Sequence, residues 1–285
     1  MTSAILASKD TAIGVVPEWN PVNDEQRAFL EKHFNPTREE VGTIEEIESV
    51  ASPDEAVVNA FLKEREFSIE LEPLGEDEYG MASVLDYPWK WLEEGDEDCI
   101  NYDKGVAAAT LSAGISFFKT GAIFGGDDDR ILVRIQTQTE DVIWMTMESA
   151  PAVDFDLVLQ AQMLQAKARE DDSIKYDAVT FPMIDLDLET QVDWLIQMWG
   201  LNEHGQKATI TQALQQTKLR MNEVGGRCQS AAAVAACLES CMVGPENPFI
   251  IDKPFLLWVE RPSLSQPLFA LHLCEDVWNK PEDLE

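Results

Sequence analysis

Apolar and polar positions alternate, or give way to short apolar runs, along much of the C-terminal half, and strands are expected there. Pro254-Phe-Leu-Leu-Trp-Val-Glu260 and Pro267-Leu-Phe-Ala-Leu-His-Leu273 are aromatic and aliphatic. Each opens on a proline, where no ladder donor is needed, and Arg261–Gln266 between them reads as a turn. Arg130–Gln136 and Asp141–Met147 read as two further strands, Tyr176–Leu188 as another, and Ala208–Met221 as a run leading into Asn222-Glu223. Glu189–Gly200 instead places Val192, Leu195, Ile196 and Trp199 on one face and ends on Gly200, the pattern of an amphipathic helix.

The N-terminal third has weaker periodicity. Asp24–His33 is expected as a short helix capped by Asp24. Thr43–Glu64 is interrupted near Ser52-Pro53 and predicts two short helices, and Phe67–Leu71 alternates like a strand. Met1 to Asn23, with Pro17 and Pro21, predicts an extended, flexible arm. Gly75–Tyr79 and Glu93–Asp98 are expected as acidic turns or loops, and Asp127–Asp129 as a turn.

Residues 222–236 (Asn-Glu-Val-Gly-Gly-Arg-Cys-Gln-Ser-Ala-Ala-Ala-Val-Ala-Ala) carry the most information. Read with period 2, one face holds Gly226, Cys228, Ser230, Ala232, Val234 and Ala236, all small and uncharged. Arg227, the single charge from 226 onward, points to the other face. An exposed loop has no need to keep every second residue small, whereas a segment that must slide between packed strands does. Ser230–Ala236 is equally good helix-forming sequence, and that alternative stays open.

Composition narrows the partners. With 285 residues, 45% of them hydrophobic, the chain can bury a sizeable core as one large domain or two small ones. A formal net charge of -32, with acidic residues dense from Glu39 to Asp98, argues against binding nucleic-acid phosphates or anionic membranes. It suits a solvated acidic surface or a basic partner. Met1–Val16 lacks a basic start and is interrupted by Lys9-Asp10, so no secretory signal is read, and Gly105–Phe118 is too short to span a bilayer. Cys99, Cys228, Cys237, Cys241 and Cys274 are odd in number and follow no framework spacing, which suits reduced thiols in a cytoplasmic compartment.

Catalytic motifs are missing. There is no nucleophile elbow, P-loop or dinucleotide fingerprint. His33, His204 and His272 lie far apart, and no His/Cys pair has zinc-ligand spacing. Acidic clusters at Asp127–Asp129 and Glu94-Gly-Asp96 are more simply turns than ion sites. No enzyme activity, cofactor or metal is expected.

Thr180-Phe-Pro, Trp199-Gly-Leu201, Asn222-Glu-Val-Gly225, the alanine-rich 231–236 and Pro254-Phe-Leu256, in that order, resemble the C-terminal half of a serpin. The likeness is best over about 130–275; Gly105–Phe124, with Phe117-Phe-Lys119, and Asp154–Lys167 look like a further strand and a mid-chain helix of the family. The resemblance implies an α+β fold with a large mixed or antiparallel central sheet, further sheets and surrounding helices, here with a reduced or divergent N-terminal part. Residues 24–285 would form that domain, with 24–100 its divergent acidic portion and a reactive loop at about 226–247. It also implies a monomeric, non-enzymatic inhibitor whose partner is a target serine or cysteine protease.

In such a protein Glu223, Gly225 and Gly226 would set the hinge, and Cys228, Ser230, Ala232 and Val234 would form the inserting face. Counting forward from Glu223 places the scissile bond at Glu239-Ser240, after an acidic residue; counting back from Pro254 places it at Val243-Gly244. Departures are also present: Gly226 stands where the family usually has Thr or Ser, and Arg227 where it usually has Glu. Two alternatives follow, a non-inhibitory serpin-like binding protein and an unrelated acidic protein that mimics nucleic acid.

Overall fold

The computed structural model describes residues 2–7, 18–75, 78, 80–102, 110–117, 121–126, 130–153, 155–169, 176–201, 205, 207–228, 247–282 and 284. The chain divides into two compact units. One comprises Met1–Tyr87, Asp187–Lys218 and Cys228–Ala231, the other Pro88–Leu186, Leu219–Arg227 and Ala232–Glu285.

In the first unit, helices α1 (Thr2–Ala7), α2 (Asp24–Phe29), α3 (Asn35–Val41) and α4 (Glu55–Glu64) accompany a hairpin-like pair of β1 (Ile47–Ser52) and β2 (Gly80–Leu85). The stretch expected as an extended arm therefore contains a helix, which packs on β1, β2 and α3 and buries Ile5. Asn23, not Asp24, caps α2: its side chain accepts the Gln26 amide at 2.7 Å. Gln26, fully buried, accepts the Val22 N–H through its Oε1 and spends its amide protons on the Trp194 and Ile196 carbonyls. The helix does not stop at His33; a π-helical segment, Leu30–Phe34, joins it to α3.

Three expectations are corrected in this unit. Thr43–Glu64 contains a strand and a helix rather than two helices, because Ile47–Ser52 finds six partners on β2. Asp54 caps α4 through the Ala56 amide at 2.9 Å. Phe67–Leu71 is not a strand, although Phe67, Ile69 and Leu71 do point inward, onto a cluster of Val58, Leu62, Ala82 and Val84. Its amides go to side chains instead of a neighbouring strand: Ser68 and Ile69 donate to Gln216 Oε1, and Leu71 donates to Asn59 Oδ1 at 2.8 Å. Glu189–Gly200 is not a helix. It comprises the end of a strand, one 3-10 turn at Asp193–Leu195, and β11 (Trp199–Leu201), which pairs with β12 (Lys207–Thr209). Val192 and Gln197 amides reach across to the Ala213 and Ile210 carbonyls at 2.8 Å, and Gln197 takes a left-handed conformation (φ 72°) that no helix continues through.

The second unit holds two whole sheets and part of a third. One is five-stranded and wholly antiparallel, in the order β17 (Phe269–Leu273), β16 (Phe255–Glu260), β8 (Val142–Met147), β7 (Ile131–Gln136), β6 (Gly121–Gly125). Its interior strand β16 is buried from Phe255 to Val259. Trp258 stacks on Trp144 with centroids 6.0 Å apart, and helix α5 (Asp156–Ala166) covers this cluster through the fully buried Ala161. Gln165 of α5 accepts the Trp258 indole N–H at 3.0 Å. The turn after β16 is tied by Arg261, whose Nη2 donates to Asp141 Oδ2 at 2.8 Å.

A second, four-stranded sheet runs β15 (Pro248–Ile250), β9 (Ala178–Pro182), β5 (Thr110–Phe117), β4 (Asp96–Tyr102), with β15 parallel to β9. Asp96–Asp98 thus belong to a strand rather than to an acidic loop, paired with Ser116, Ile115 and Gly114. The third sheet, in the order β10 (Ile184–Gln191), β13 (Leu214–Met221), β14 (Gly225–Cys228), β3 (Tyr87–Lys90), carries the predicted hinge. Tyr176–Leu188 is accordingly two strands in two sheets, parted at Met183, whose amide bonds to the Ala113 carbonyl at 2.9 Å. No helix among the described residues is long and apolar enough to cross a membrane.

Candidate functional site

Asn222-Glu-Val-Gly225 is a tight turn between β13 and β14, and its own side chain builds it. Asn222 Oδ1 accepts the Val224 and Gly225 amides at 3.0 and 3.3 Å, while the Asn222 amide donates to the Gly225 carbonyl at 2.9 Å. Beyond the turn, Arg220 faces Arg227 and Met221 faces Gly226 across the antiparallel pair.

Every carbonyl of this turn is matched to a donor. The Trp91 indole N–H donates to Asn222 O at 2.8 Å, the Gly95 amide to Glu223 O at 2.8 Å, and the Trp91 amide to Val224 O at 3.2 Å. Such complete pairing is what a buried backbone requires. Trp91 is fixed in turn by an aromatic cluster, edge-on to Phe117 and Phe181 at 5.5 and 6.0 Å, with Trp89 at 6.1 Å. Pro88 is exposed on β3, the edge strand, where its missing N–H costs no ladder bond.

β14 presents buried Gly225 and Gly226, a half-buried Arg227 and a buried Cys228. A Cβ placed on Gly226 would lie 2.6 Å from Trp89 Cε2 and nearer still to Cζ2 and Cη2; one on Gly225 would overlap the Trp89 carbonyl oxygen. Burial, with Asp86 as a further unfavourable charge, pushes the Cys228 thiol up to about 12. Glu223 Oε2 is buried without a hydrogen-bond partner among the described residues. The sheet also concentrates charge: Arg220 lies 3.7 Å from Asp185, and in the first unit Lys218 lies 3.3 Å from Asp187 while donating to the Glu66 carbonyl. Both cations are buried.

Of the predicted residues, Glu223, Gly225, Gly226 and Cys228 thus lie on one turn and the short strand that follows it. Ser230, Ala232, Val234, Cys237, Glu239, Ser240, Cys241, Val243 and Gly244 lie outside the described residues. Sequence reading passed over Trp89, Trp91 and Gly95, the residues that receive the turn. Their signal was faint: two tryptophans two apart in Tyr87-Pro-Trp-Lys-Trp91, an alternation broken by a proline. His272, expected in a strand, lies on β17, where its Nε2 is 2.8 Å from the Glu148 carbonyl and its Nδ1 is 3.6 Å from Cys274 Sγ. Among the described residues, no three His, Cys, Asp or Glu side chains are placed to hold a metal ion.

No family model and no curated protein matches the sequence. Solved structures do match by shape. The mouse protein-Z-dependent protease inhibitor aligns at TM-score 0.54 and 11% identity over 88% of this chain and 81% of its own. A serpin from Schistosoma mansoni aligns at TM-score 0.52 and 11% identity, over 95% of this chain and 88% of that one. Serpin48 of the insect Tenebrio molitor aligns at TM-score 0.45 and 14% identity over 77% of this chain, which spans 64% of Serpin48's length. The protein is an α+β chain of several sheets and few helices with a divergent serpin-like fold.

Proposed function

We propose that the chain is a serpin-like protease inhibitor. It offers the segment after β14 as bait and traps the attacking protease by carrying the hinge further into the sheet β10-β13-β14-β3. The observation that supports this most directly is the place of Gly225–Cys228: small residues of the predicted hinge already run as a strand between β13 and β3, immediately before the bait segment. Glu223 and Gly225 set the turn from which insertion starts, and Cys228, Ser230, Ala232 and Val234 continue its inward face. The driving force is the gain of ladder hydrogen bonds and buried contacts when an exposed loop becomes a central strand. The scissile bond is assigned to Glu239-Ser240, with Val243-Gly244 the alternative; the first favours a serine or cysteine protease that cuts after acidic residues. In this reading the chain is a cytoplasmic, monomeric non-enzyme that needs no cofactor and binds neither nucleic acid nor membrane.

Nicking the loop with a low dose of a broad-specificity protease tests the proposal. A large rise in melting temperature after the cut is expected, since the freed hinge inserts; an unchanged or lower one overturns it. Val234→Arg places a charge on the inserting face and is expected to abolish both the rise and the formation of a denaturant-resistant complex with the protease. A second reading, a non-inhibitory serpin-like binding protein, is favoured by Gly226. A glycine brings no side chain to the inserted strand, so insertion gains less there.

A further inference from the structure

The hinge of this chain is fitted to its sheet by an exchange of volume between two strands. On β14 the side chain at position 226 is missing; on β3 the largest side chain available, Trp89, fills the space it would occupy. Trp89 is 3% exposed and cannot easily give way. Its neighbour Trp91 is tied by backbone to Val224 and by indole to Asn222, and Trp89 and Trp91 meet edge to face. Met221, directly opposite Gly226 on β13, is fully buried, so the glycine is bounded on both sides. Interiors packed to this density do not absorb an added methyl group without a shift of backbone or ring.

We infer that Trp89 and Gly226 form a latch that holds the first hinge residues docked in the sheet before any protease is met. The inference rests on the reading of 225–228 as the start of the hinge. It assigns Trp89 a positioning role: the indole admits a strand with no side chain at 226 and rejects one that has a Cβ there. The bait segment is then presented from a docked strand rather than from a free one. Residues at 226 with side chains, such as the Thr or Ser usual in the family, are incompatible with Trp89 in its present place.

Hydrogen exchange followed by mass spectrometry on the full chain tests the latch. In the unaltered protein, amides of Gly225–Cys228 are expected to exchange slowly. Gly226→Thr is expected to speed them at least about tenfold, as a locally opened strand exchanges, while peptides from β16 keep their protection and so report an intact fold. Trp89→Gly combined with Gly226→Thr moves the volume from one strand to the other and should restore the slow rate to within about twofold. Fast exchange of 225–228 in the unaltered chain, no acceleration in Gly226→Thr, or no recovery in the pair would each overturn the latch. Should Gly226→Thr lose protection in β16 as well, Trp89→Leu replaces it: this variant unpacks the same contact without adding volume. It is expected to speed the same four amides, and unchanged exchange there overturns the latch. The readout needs no protease, so a chain that traps none but shows these exchange rates refutes inhibition and retains the latch.

Discussion

The five-stranded sheet β17-β16-β8-β7-β6 and the sheet β10-β13-β14-β3, which carries the proposed hinge, are built on opposite principles. The first is held by bulk. Strand β16 buries five consecutive apolar residues, its indole stacks on Trp144, and α5 seals the face. Each such residue contributes on the order of 2 kcal/mol by leaving water, and no single hydrogen bond decides the outcome. The second is held by fit. β14 contributes two glycines, one half-buried arginine set opposite another arginine, and a thiol. It stays in place because every carbonyl of its turn is hydrogen-bonded and its missing side chain is matched by Trp89. A sheet held by bulk does not let a strand go, whereas one held by a few matched contacts releases a strand when one contact fails. A segment that has to move is better placed in the second kind.

Three changes sharpen or break this contrast. Trp258→Ala has the largest expected effect, a loss of about 4 kcal/mol in global stability. It removes the ring stacked on Trp144 and leaves the Gln165 carbonyl oxygen of α5 without its donor. Urea unfolding reads this as a lower midpoint; a loss below about 1 kcal/mol would show that β16 is not held by bulk. Asn222→Ala is expected to cost less, about 1 kcal/mol, because it removes the acceptor of two turn amides but leaves Asn222 O and N–H in place. Its signature is local: exchange at Val224 and Gly225 rises while β16 is unaffected. An equal rise in both sheets would break the comparison.

The smallest effect is confined to alkaline pH. Below 9.0, the ordinary thiol value, Cys228 is protonated in folded and unfolded chain alike and adds no pH dependence. Above it the unfolded thiol loses its proton, while the folded one holds it until about 12. The unfolded state then binds fewer protons, so stability falls as pH rises across that window. Thermal unfolding of Cys228→Ala should lack this part of the alkaline loss; identical curves for the two proteins would place the thiol in water.

Much of the apolar framework was legible in the chain. β7, β8, β16 and β17 fall where period and proline placement put them, because their apolar pattern overrides its neighbours, and α5 falls where the family resemblance put a mid-chain helix. The turn at Asn222–Gly225 was not legible as one: Asn and Gly carry their local conformations with them, but these residues read as the start of a hinge. Glu189–Gly200 misled because Val192 and Leu195, three apart, suit a helical face equally well as a single 3-10 turn between two strands. Phe67–Leu71 misled in the reverse sense: its alternation is real, yet its amides pair with side chains, those of Gln216 from far along the sequence and of nearby Asn59, rather than with a strand.

By itself, then, the sequence determined the acidic character, the apolar strands, the order of motifs that resembles a serpin, and the small-residue stretch proposed as the hinge. These depend on composition and local spacing alone. Tertiary structure decided what receives the Asn222–Gly225 turn and β14. Nothing near residue 226 announces Trp89, more than a hundred positions earlier, since the fit of an indole to an absent side chain belongs to two strands at once and is written in neither.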